Sequence, residues 1–358
     1  MKKKILISTG GSGGHVIPAT IFYEQLKNEF DVFLTTDKRG TKFLNLQKYT
    51  IKVIDIPKLT KNLFKLPLNL FCLFLSVIKS LIFFKKNKID ILISTGGYMS
   101  LPLCVAAKIL NVTIYLFEPN MVIGRANIFF LKHAKKIFCY SEEIINFPKK
   151  YKNKILLINP LLRKEFYSFQ PSNKNEINNE IKLLIIGGSQ GAQLFDNELK
   201  KAIISISKKY KLNIYQQTSL SNVKNLENFY NEHNIPCELF SFEENILKLI
   251  RHVNLCVTRA GASTLSELTF LNIPYLAIPY PSAKDDHQFQ NALFYKNMDC
   301  CWLLKENELQ NEVLANYLIN IIRNKDDYLT KIKNMEKFSY QNTWNNINQK
   351  LINTFYEN

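Results

Sequence analysis

The residues near the start of the chain that are best suited to chemistry form the segment Gly10–His15, GGSGGH, between an apolar run and the opening of a helix. Glycines let the backbone turn sharply and bring its N–H groups close to a ligand. A helix N-terminus adds unpaired N–H groups and the positive end of the helix dipole, so a phosphate or diphosphate is the expected occupant. His15 lies at the rim of this segment, where its ring can exchange a proton near neutral pH. A structural turn with a surface histidine is the alternative interpretation.

A second segment of the same kind lies far downstream. The apolar run Lys182–Ile186 precedes Gly187–Ala192, GGSQGA, and helical periodicity follows. Two strand–glycine–helix segments predict an α/β fold with two Rossmann-like domains, whose parallel sheets face a central cleft and bind ligands at the carboxyl ends of their strands. Neither segment matches the GxxxxGK[ST] phosphate loop, and neither is a regular GxGxxG with an acidic residue about 20 positions later.

Length and composition limit the classes of protein. A chain of 358 residues suits two domains, each with its own core. Its 47 basic and 30 acidic residues give a net charge of +17, which indicates an anionic partner or, alternatively, codon bias. We expect no nucleic acid, because no stripe of basic and aromatic residues resembles a known binding module. Seven cysteines without a CxxC pair favour a reducing compartment.

The segment Leu63–Phe84 is nearly continuous in apolar residues. It is borderline as a membrane span, and the strand-like run that follows at once favours a helix within the first domain. We expect this helix to be partly buried, with an apolar and cationic face on an anionic membrane surface. A helix buried in the core is the alternative. The flanking lysines are Lys58, Lys61, Lys65, Lys85, Lys86 and Lys88.

A third strand–glycine–helix segment occurs in the second half, where Val253–Thr258 precedes Arg259–Leu268, RAGASTLSEL. Ser263 or Thr264 is the predicted N-cap of the helix. Glu267 lies about one turn further, where a carboxylate can accept two hydrogen bonds from a cis-diol such as a ribose. A solvated helix residue is the alternative for Glu267.

The segment Asp285–Asn291, DDHQFQN, opens a further helix with polar side chains. His287 lies beside two carboxylates, but its spacing from other histidines and cysteines does not suit a metal site. We therefore expect neither a metal nor another cofactor.

Taken in order, the motifs GGSGGHVIPA, STGGYMSLP, EPNMVIGRAN, NPLLR, GGSQGA, TRAGASTLSEL and DDHQFQNA resemble those of the MurG family of bacterial glycosyltransferases. The likeness extends from Lys4 to Asn291. It implies the GT-B architecture, with an N-terminal acceptor- and membrane-binding domain at 1–160, a UDP-sugar-binding domain at 161–335, and a C-terminal helical segment at 336–358 that returns to the first domain.

The resemblance also implies an activity, the inverting transfer of N-acetylglucosamine from UDP-N-acetylglucosamine to the muramyl 4-hydroxyl of undecaprenyl-pyrophosphoryl-MurNAc-pentapeptide, at the cytoplasmic face of the bacterial plasma membrane. His15 is the implied general base. The implied donor contacts are Ser12, Gly13, Gly14, Asn120, Arg163, Ser189, Ala262, Ser263, Thr264, Leu265, Ser266, Glu267 and Gln288. The implied acceptor contacts are Gly96, Gly97 and Tyr98.

Some residues depart from the family pattern. Pro119 stands where glutamine is usual, Phe117 stands where histidine is frequent, and the segment Leu63–Phe84 is more apolar than the family leads us to expect. Two alternatives are kept open: another GT-B enzyme, with a diglyceride or sterol acceptor, and a non-catalytic scaffold that binds a nucleotide sugar.

Overall fold

A computed structural model describes residues 2–54, 66–169, 177, 180–241, 243, 246–309 and 312–357, without the side chains of residues 66 and 188–193. Backbone contacts divide the chain into two compact units. Unit 1 comprises Met1–Lys164 together with Asn342–Asn358, and unit 2 comprises Glu165–Gln341.

Unit 1 contains a seven-stranded parallel sheet among its described residues, in the order β3-β2-β1-β4-β5-β6-β7. Its central strands are buried on both faces, which explains their nearly continuous apolar sequences. The strands are β1 (Lys4–Ser8), β2 (Asp31–Thr36), β3 (Ile51–Val53), β4 (Ile91–Ser94), β5 (Thr113–Glu118), β6 (Ala134–Cys139) and β7 (Ile155–Leu157). The helices are α1 (Gly13–Leu26), α2 (Leu66–Asn87), α3 (Ser100–Ile109) and α4 (Arg125–Phe130).

Unit 2 contains a six-stranded parallel sheet among its described residues, in the order β10-β9-β8-β11-β12-β13. Its strands are β8 (Glu180–Ile186), β9 (Lys211–Gln217), β10 (Cys237–Phe240), β11 (Leu255–Thr258), β12 (Tyr275–Ala277) and β13 (Trp302–Leu303). The helices are α5 (Lys164–Tyr167), whose first residue belongs to unit 1, and α6 (Gly188–Ser207), α7 (Val223–Glu232), α8 (Leu247–Ile250), α9 (Ala262–Phe270), α10 (His287–Asn297), α11 (Val313–Arg323) and α12 (Lys325–Ser339). The prediction of an α/β fold built on two Rossmann-like parallel sheets is confirmed.

Helix α2 presents its apolar side chains outward. Ser76, Ser80 and Phe84, spaced four residues apart, form its buried stripe, and α2 packs against α3. Phe71 and Phe74 are 58% and 60% exposed. The other exposed large apolar side chains of α2 are Leu68, Leu70, Leu75, Ile78 and Ile82. A core helix would bury these side chains, so the structure does not support the core alternative.

The two serines explain how α2 places a polar stripe against the protein. The Ser76 hydroxyl donates to Cys72 O at 2.8 Å, and the Ser80 hydroxyl donates to Ser76 O at 2.7 Å, so both hydroxyls are satisfied within the helix. Pro67–Asn87 is long and apolar enough to span a membrane by length and composition alone. Residues 63–65 and the lysines at 58, 61 and 65 lie outside the described residues.

The last helix, α13 (Trp344–Tyr356), belongs to unit 1. Its Phe355 ring is fully buried and lies 4.9 Å from the ring centroid of Tyr115, 5.9 Å from that of Phe138 and 6.1 Å from that of Phe30. The Lys3 ammonium donates to Phe355 O at 2.9 Å. Helix α13 therefore completes the core of unit 1 from far along the sequence.

We predict that Phe355→Ala lowers the free energy of unfolding by about 3–5 kcal/mol, because it opens a cavity among packed rings. Urea unfolding followed by circular dichroism measures this loss. Phe129→Ala is the matched control, since Phe129 is 69% exposed, and it should change stability by less than about 1 kcal/mol. Equal effects of the two substitutions would contradict the assigned role of α13.

Candidate functional site

The order of strands reverses at one point in each sheet. In unit 1 the chain proceeds outward from β1 through β2 to β3, and then from β4 outward in the other direction. In unit 2 the reversal falls between β8 and β11. Ligands of open α/β sheets bind at the carboxyl ends of the strands at this switch point. The loops after β1 and β4 are therefore the candidate site of unit 1, and those after β8 and β11 are the candidate site of unit 2. Predicted residues lie within each loop or at the start of the helix that follows it.

His15 joins two of these loops. Its Nδ1 lies 2.8 Å from Thr95 O, so α1 is tied to the loop that follows β4. A carbonyl oxygen only accepts hydrogen bonds, so Nδ1 carries the proton. In the neutral imidazole, Nε2 is then unprotonated and can accept a proton. The hydrogen bond thus fixes the tautomer that a general base requires.

Two predicted acceptor contacts, Gly96 and Gly97, lie against the His15 ring. Their φ angles are +87° and +78°, which side chains of L-amino acids rarely adopt. A Cβ on Gly97 would lie 3.3 Å from His15 Cδ2 and 3.4 Å from Nε2. Glycine at this position keeps the environment of Nε2 clear. Tyr98, the third predicted acceptor contact, is half-buried beside these glycines.

The predicted donor contacts of the first loop lie at the start of α1. Ser12 is its N-cap and makes no side-chain cap bond, and its carbonyl accepts from the N–H groups of His15 and Val16, both at 3.1 Å. Gly13 and Gly14 form the first turn, whose N–H groups point away from the helix body. This end of α1 therefore offers an anion the amides that the sequence predicted.

A buried carboxylate organises the carboxyl end of β5. Glu118 Oε1 accepts from Asn120 Nδ2 at 2.9 Å, and Glu118 Oε2 accepts from Gly124 N at 2.7 Å and from Asn127 Nδ2 at 2.9 Å. Asn127 Nδ2 also donates to Phe117 O at 3.0 Å. The predicted donor contact Asn120 is thus oriented by Glu118, which the site prediction omitted. A charged residue that ends a buried strand was the available signal.

A second carboxylate supports the first glycine loop from the end of β2. Asp37 is 3% exposed, and its carboxylate accepts hydrogen bonds from Gly11 N, Gly40 N and Arg39. Burial alone would raise the pKa of the Asp37 carboxyl, but the two N–H groups and the guanidinium outweigh burial and hold that pKa below its usual value. Asp37 was also absent from the prediction.

Two further predicted donor contacts border other elements. Arg163 is half-buried and immediately precedes α5. Ser189 lies in the first turn of α6, directly after β8, and its side chain is outside the description. Ser189 therefore lies at the predicted switch-point loop of unit 2.

Helix α9 begins two or three residues earlier than the capping prediction requires. Gly261 is the N-cap, so neither Ser263 nor Thr264 caps the helix and that prediction is wrong. The extended backbone of Gly261 starts the helix before either hydroxyl reaches the cap position. Both residues and Ala262 instead belong to the first turn, whose N–H groups have no partner within the helix.

The remaining predicted residues of α9 differ in exposure. The Leu265 and Ser266 side chains are buried, and the Ser266 hydroxyl lies 2.8 Å from Ala262 O and 2.9 Å from the Tyr295 hydroxyl. The side chains of Leu265 and Ser266 therefore pack inside unit 2, and the Leu265 N–H already donates to Gly261 O at 3.0 Å. Glu267 is half-buried, in the second turn of α9.

Side chains of helix α10 form hydrogen bonds with the loop between β11 and α9. Gln288 Oε1 accepts from Ala260 N at 3.2 Å and from Tyr280 N at 3.0 Å. Asn291 Nδ2 donates to Ala260 O at 3.2 Å. The predicted donor contact Gln288 therefore also positions the loop from which α9 starts.

Arg259, just before that loop, was not predicted. Its Nη1 donates to Ile278 O at 3.2 Å and to Pro279 O at 3.1 Å, and it pairs with Glu306 at 2.7 Å. Arg259 thus joins the carboxyl ends of β11, β12 and β13. A cavity of about 590 Å³ lies beside these strand ends, and its lining residues are Leu194, Glu198, Pro279, Pro281, Asp286, Phe289, Lys305, Glu306, Asn307 and Leu309.

Across the described part of the chain, no three histidine, cysteine, aspartate or glutamate side chains are grouped as metal ligands. The polar groups gathered at the switch points are instead backbone amides, a histidine and buried carboxylates with satisfied hydrogen bonds. Such groups suit an anionic ligand and a proton transfer.

We predict that Gly97→Ala lowers the free energy of unfolding by about 1–2 kcal/mol, because it forces a Cβ into a left-handed conformation against the His15 ring. Thermal and urea unfolding measure the change. Gly14→Ala is the control: Gly14 is helical and its nearest outside atom would be 3.9 Å away, so stability should rise by up to about 1 kcal/mol. A Gly97→Ala variant as stable as Gly14→Ala would refute the strain.

Comparison with known proteins places the chain in a family. Residues 5–139 match the glycosyltransferase family 28 N-terminal domain, and residues 182–347 match the glycosyltransferase family 28 C-terminal domain. Two solved structures share the fold: MurG of Acinetobacter baumannii, with a TM-score of 0.75, 22% identity and coverage of 99% of this chain and 100% of that chain, and a glycosyltransferase of Rickettsia africae ESF-5, with a TM-score of 0.65, 15% identity and coverage of 99% and 98%.

Curated relatives match along nearly the whole chain. A Pelagibacter ubique (strain HTCC1062) protein described as UDP-N-acetylglucosamine–N-acetylmuramyl-(pentapeptide) pyrophosphoryl-undecaprenol N-acetylglucosamine transferase is 56% identical over 358 residues, which is 100% of both chains. A Rickettsia bellii (strain RML369-C) protein of the same description is 33% identical over 342 residues, which is 94% of this chain and 95% of that one. With this identity along its whole length, the chain belongs to the MurG family of N-acetylglucosamine transferases, within glycosyltransferase family 28.

Proposed function

We propose that the chain transfers N-acetylglucosamine from UDP-N-acetylglucosamine to the muramyl 4-hydroxyl of undecaprenyl-pyrophosphoryl-MurNAc-pentapeptide, a step of peptidoglycan synthesis that converts lipid I to lipid II. The observation that carries this proposal is the 56% identity, over the full length of both chains, with the Pelagibacter ubique transferase. The His15 geometry supports it, because a hydroxyl nucleophile needs a base with a fixed tautomer.

The proposed chemical step is one in-line displacement with inversion at the anomeric carbon. Nε2 of His15 takes the proton of the muramyl 4-hydroxyl as that oxygen bonds to C1 of N-acetylglucosamine. The bond from C1 to the diphosphate oxygen breaks, and UDP leaves with the electron pair. Nδ1–H remains donated to Thr95 O and stabilises the charged imidazolium through the carbonyl dipole. His15 then returns the proton to solvent.

The donor contacts proposed from the family belong to both units: Ser12, Gly13, Gly14, Asn120 and Arg163 lie in unit 1, and the others lie in unit 2. The N–H groups at the start of α9 would meet the growing negative charge on UDP, as would those at the start of α6, where Ser189 lies. Glu267 would hold the ribose diol. The acceptor diphosphate would meet the first glycine loop together with Gly96, Gly97 and Tyr98.

The exposed apolar face of α2 is proposed to bind the cytoplasmic surface of the plasma membrane. Phe71 and Phe74 are exposed on this face, so moving their apolar surface from water into the membrane interface is favourable. Exposed Lys79, Lys85 and Lys86 on the same helix would attract anionic headgroups. A lipid-linked acceptor then meets an enzyme that is already held at its surface.

The activity is tested by incubating the purified protein with UDP-N-acetylglucosamine and a short-chain lipid I analogue, with and without EDTA. We expect one N-acetylglucosamine per acceptor and a rate that EDTA leaves unchanged. Absence of transfer by the unaltered protein would favour the scaffold alternative, and transfer to a diglyceride or sterol but not to the muramyl acceptor would favour the other GT-B enzymes.

We predict that His15→Ala lowers kcat by about a hundred- to ten-thousandfold while the KM for UDP-N-acetylglucosamine stays close to that of the unaltered protein, because only the proton transfer is lost. Glu267→Ala is the matched variant, and it should weaken UDP binding about tenfold or more through the lost diol contact. Steady-state kinetics and calorimetric titration with UDP measure both effects. Equal losses of kcat and donor affinity in His15→Ala would make His15 a binding residue.

We predict that replacing both Phe71 and Phe74 by serine lowers partitioning onto vesicles of phosphatidylcholine and phosphatidylglycerol by about a hundred- to ten-thousandfold, since each buried phenylalanine contributes about 1.5–3 kcal/mol. Vesicle co-sedimentation measures the partitioning. Leu220→Ser is the control, because Leu220 is 80% exposed in unit 2 and should change nothing. Unaltered partitioning of the double variant would exclude α2 as the membrane-binding face.

A further inference from the structure

We propose that Asp37 is a positioning residue for the transfer: its carboxylate sets the conformation of the glycine segment that leads to His15, and it holds Arg39 beside that segment. This inference rests on the proposed function and adds two residues to its acceptor side. Neither side chain was among the predicted site residues. The argument depends on how the two carboxylate oxygens divide their partners.

Among the described residues, one oxygen of Asp37 accepts from backbone N–H groups and the other pairs with Arg39. Oδ1 accepts from Gly11 N at 2.9 Å and from Gly40 N at 2.8 Å. Oδ2 accepts from Arg39 Nε at 2.7 Å and lies 2.6 Å from Arg39 Nη2. The carboxylate thus performs two separable tasks, which single substitutions can test independently.

The Oδ1 contact fixes the entry to α1. Gly11 has a φ of +84°, and the bond from its N–H to Asp37 holds the backbone in this turn. His15 follows four residues later and must reach Thr95 O with Nδ1. A displacement of about 1 Å at a reacting group can cost about a hundredfold in rate. Loss of the hydrogen bond from Gly11 N to Asp37 would therefore let the backbone shift and displace Nε2 of His15.

The Oδ2 contact neutralises the negative charge of Asp37. An unpaired carboxylate at this loop would repel the acceptor diphosphate, which is proposed to bind the same segment. Arg39 neutralises Asp37, and its Nη2 would lie 3.8 Å from a Cβ on Gly11, so the guanidinium lies along the glycine segment. The Arg39 side chain is partly exposed, which lets its remaining N–H groups meet an anion.

Gly40 makes this arrangement possible. A Cβ on Gly40 would overlap Thr36 Oγ1 and would also lie 3.2 Å from Gly10 Cα. Only a residue without a side chain lets the chain after β2 fold back closely enough for Gly40 N to reach Asp37 Oδ1. The turn Asp37–Gly40 therefore holds the glycine segment in place.

Three variants test the inference: Asp37→Ala, Asp37→Asn and Arg39→Ala. Their kcat and KM values are measured with the short-chain lipid I analogue, and UDP titration gives the fraction of folded protein. We expect Asp37→Ala to lower kcat about a hundredfold at full UDP-binding stoichiometry. Asp37→Asn keeps an oxygen for Gly11 and Gly40 but loses Arg39, so its kcat should stay within about tenfold of the unaltered protein.

Arg39→Ala should raise the acceptor KM about tenfold with little change in kcat, and Asp37→Asn should show the same rise. General destabilisation would lower kcat and the UDP-binding stoichiometry together. It would not lower kcat in Asp37→Ala while raising only the acceptor KM in Asp37→Asn and Arg39→Ala. A kcat of Asp37→Ala within about threefold of the unaltered protein would overturn the inference, and so would an Asp37→Asn variant as slow as Asp37→Ala. If Asp37→Ala does not fold, an acceptor KM that is unchanged in both Asp37→Asn and Arg39→Ala overturns the inference.

Amide hydrogen exchange separates failure of this inference from failure of the proposed function. Asp37→Ala should speed exchange of the amides from Gly11 to His15, and Asp37→Asn should leave them protected. An unaltered protein without transferase activity refutes the proposed function, whereas unchanged exchange in Asp37→Ala refutes the bracing by Asp37.

Discussion

Parallel pairing on both sides of β1 is the constraint from which the candidate site of unit 1 follows. Ser8 is in register with Thr35 of β2 and with Ser94 of β4, so all three strands end at the same level. The residues after each strand, which include the first glycine segment, Asp37 and Thr95–Gly97, are therefore brought to one edge of the sheet. Because the chain leaves β1 and β4 in opposite directions, no crossover helix within the described residues of unit 1 covers that edge.

The same constraint recurs in unit 2 with different side chains. Strand β11 pairs with β8 and β12, and the ends of these strands are joined by Arg259 and Gln288 instead of by a carboxylate on a glycine turn. Unit 1 thus places His15 and its glycine turns at the strand ends, whereas unit 2 places the starts of α6 and α9 there. The acceptor role proposed for unit 1 and the donor role proposed for unit 2 correspond to this difference in chemistry.

Much of this arrangement was predictable from the sequence, because apolar runs that end in glycine mark buried parallel strands followed by helices. The positions of His15, Gly96 and Gly97 directly after buried strands followed from that pattern, as did the presence of a helix after β11. The bracing roles of Asp37, Glu118 and Arg259 did not follow, since each depends on which strands are neighbours. The capping prediction failed because a hydroxyl near a helix start does not reveal which residue adopts the cap conformation, and here Gly261 does.

The outward apolar face of α2 shows a different limit of sequence interpretation. The density of apolar residues predicted a helix, but only the serine stripe at Ser76 and Ser80 reveals which side contacts the protein. A small polar residue whose hydroxyl bonds back to its own helix can be buried at little cost. The large apolar side chains of α2, such as Phe71 and Phe74, are thereby left on the outer surface of unit 1.

The placement of α13 has a consequence for how the polypeptide folds during translation. Unit 1 is discontinuous, and its core includes Phe355 beside Phe30, Tyr115 and Phe138. Domains usually fold as they leave the ribosome, beginning with the N-terminal one. Here the first unit stays incomplete until residues 342–358 emerge, so unit 2 can finish folding earlier and a nascent chain must keep an open apolar groove protected until then.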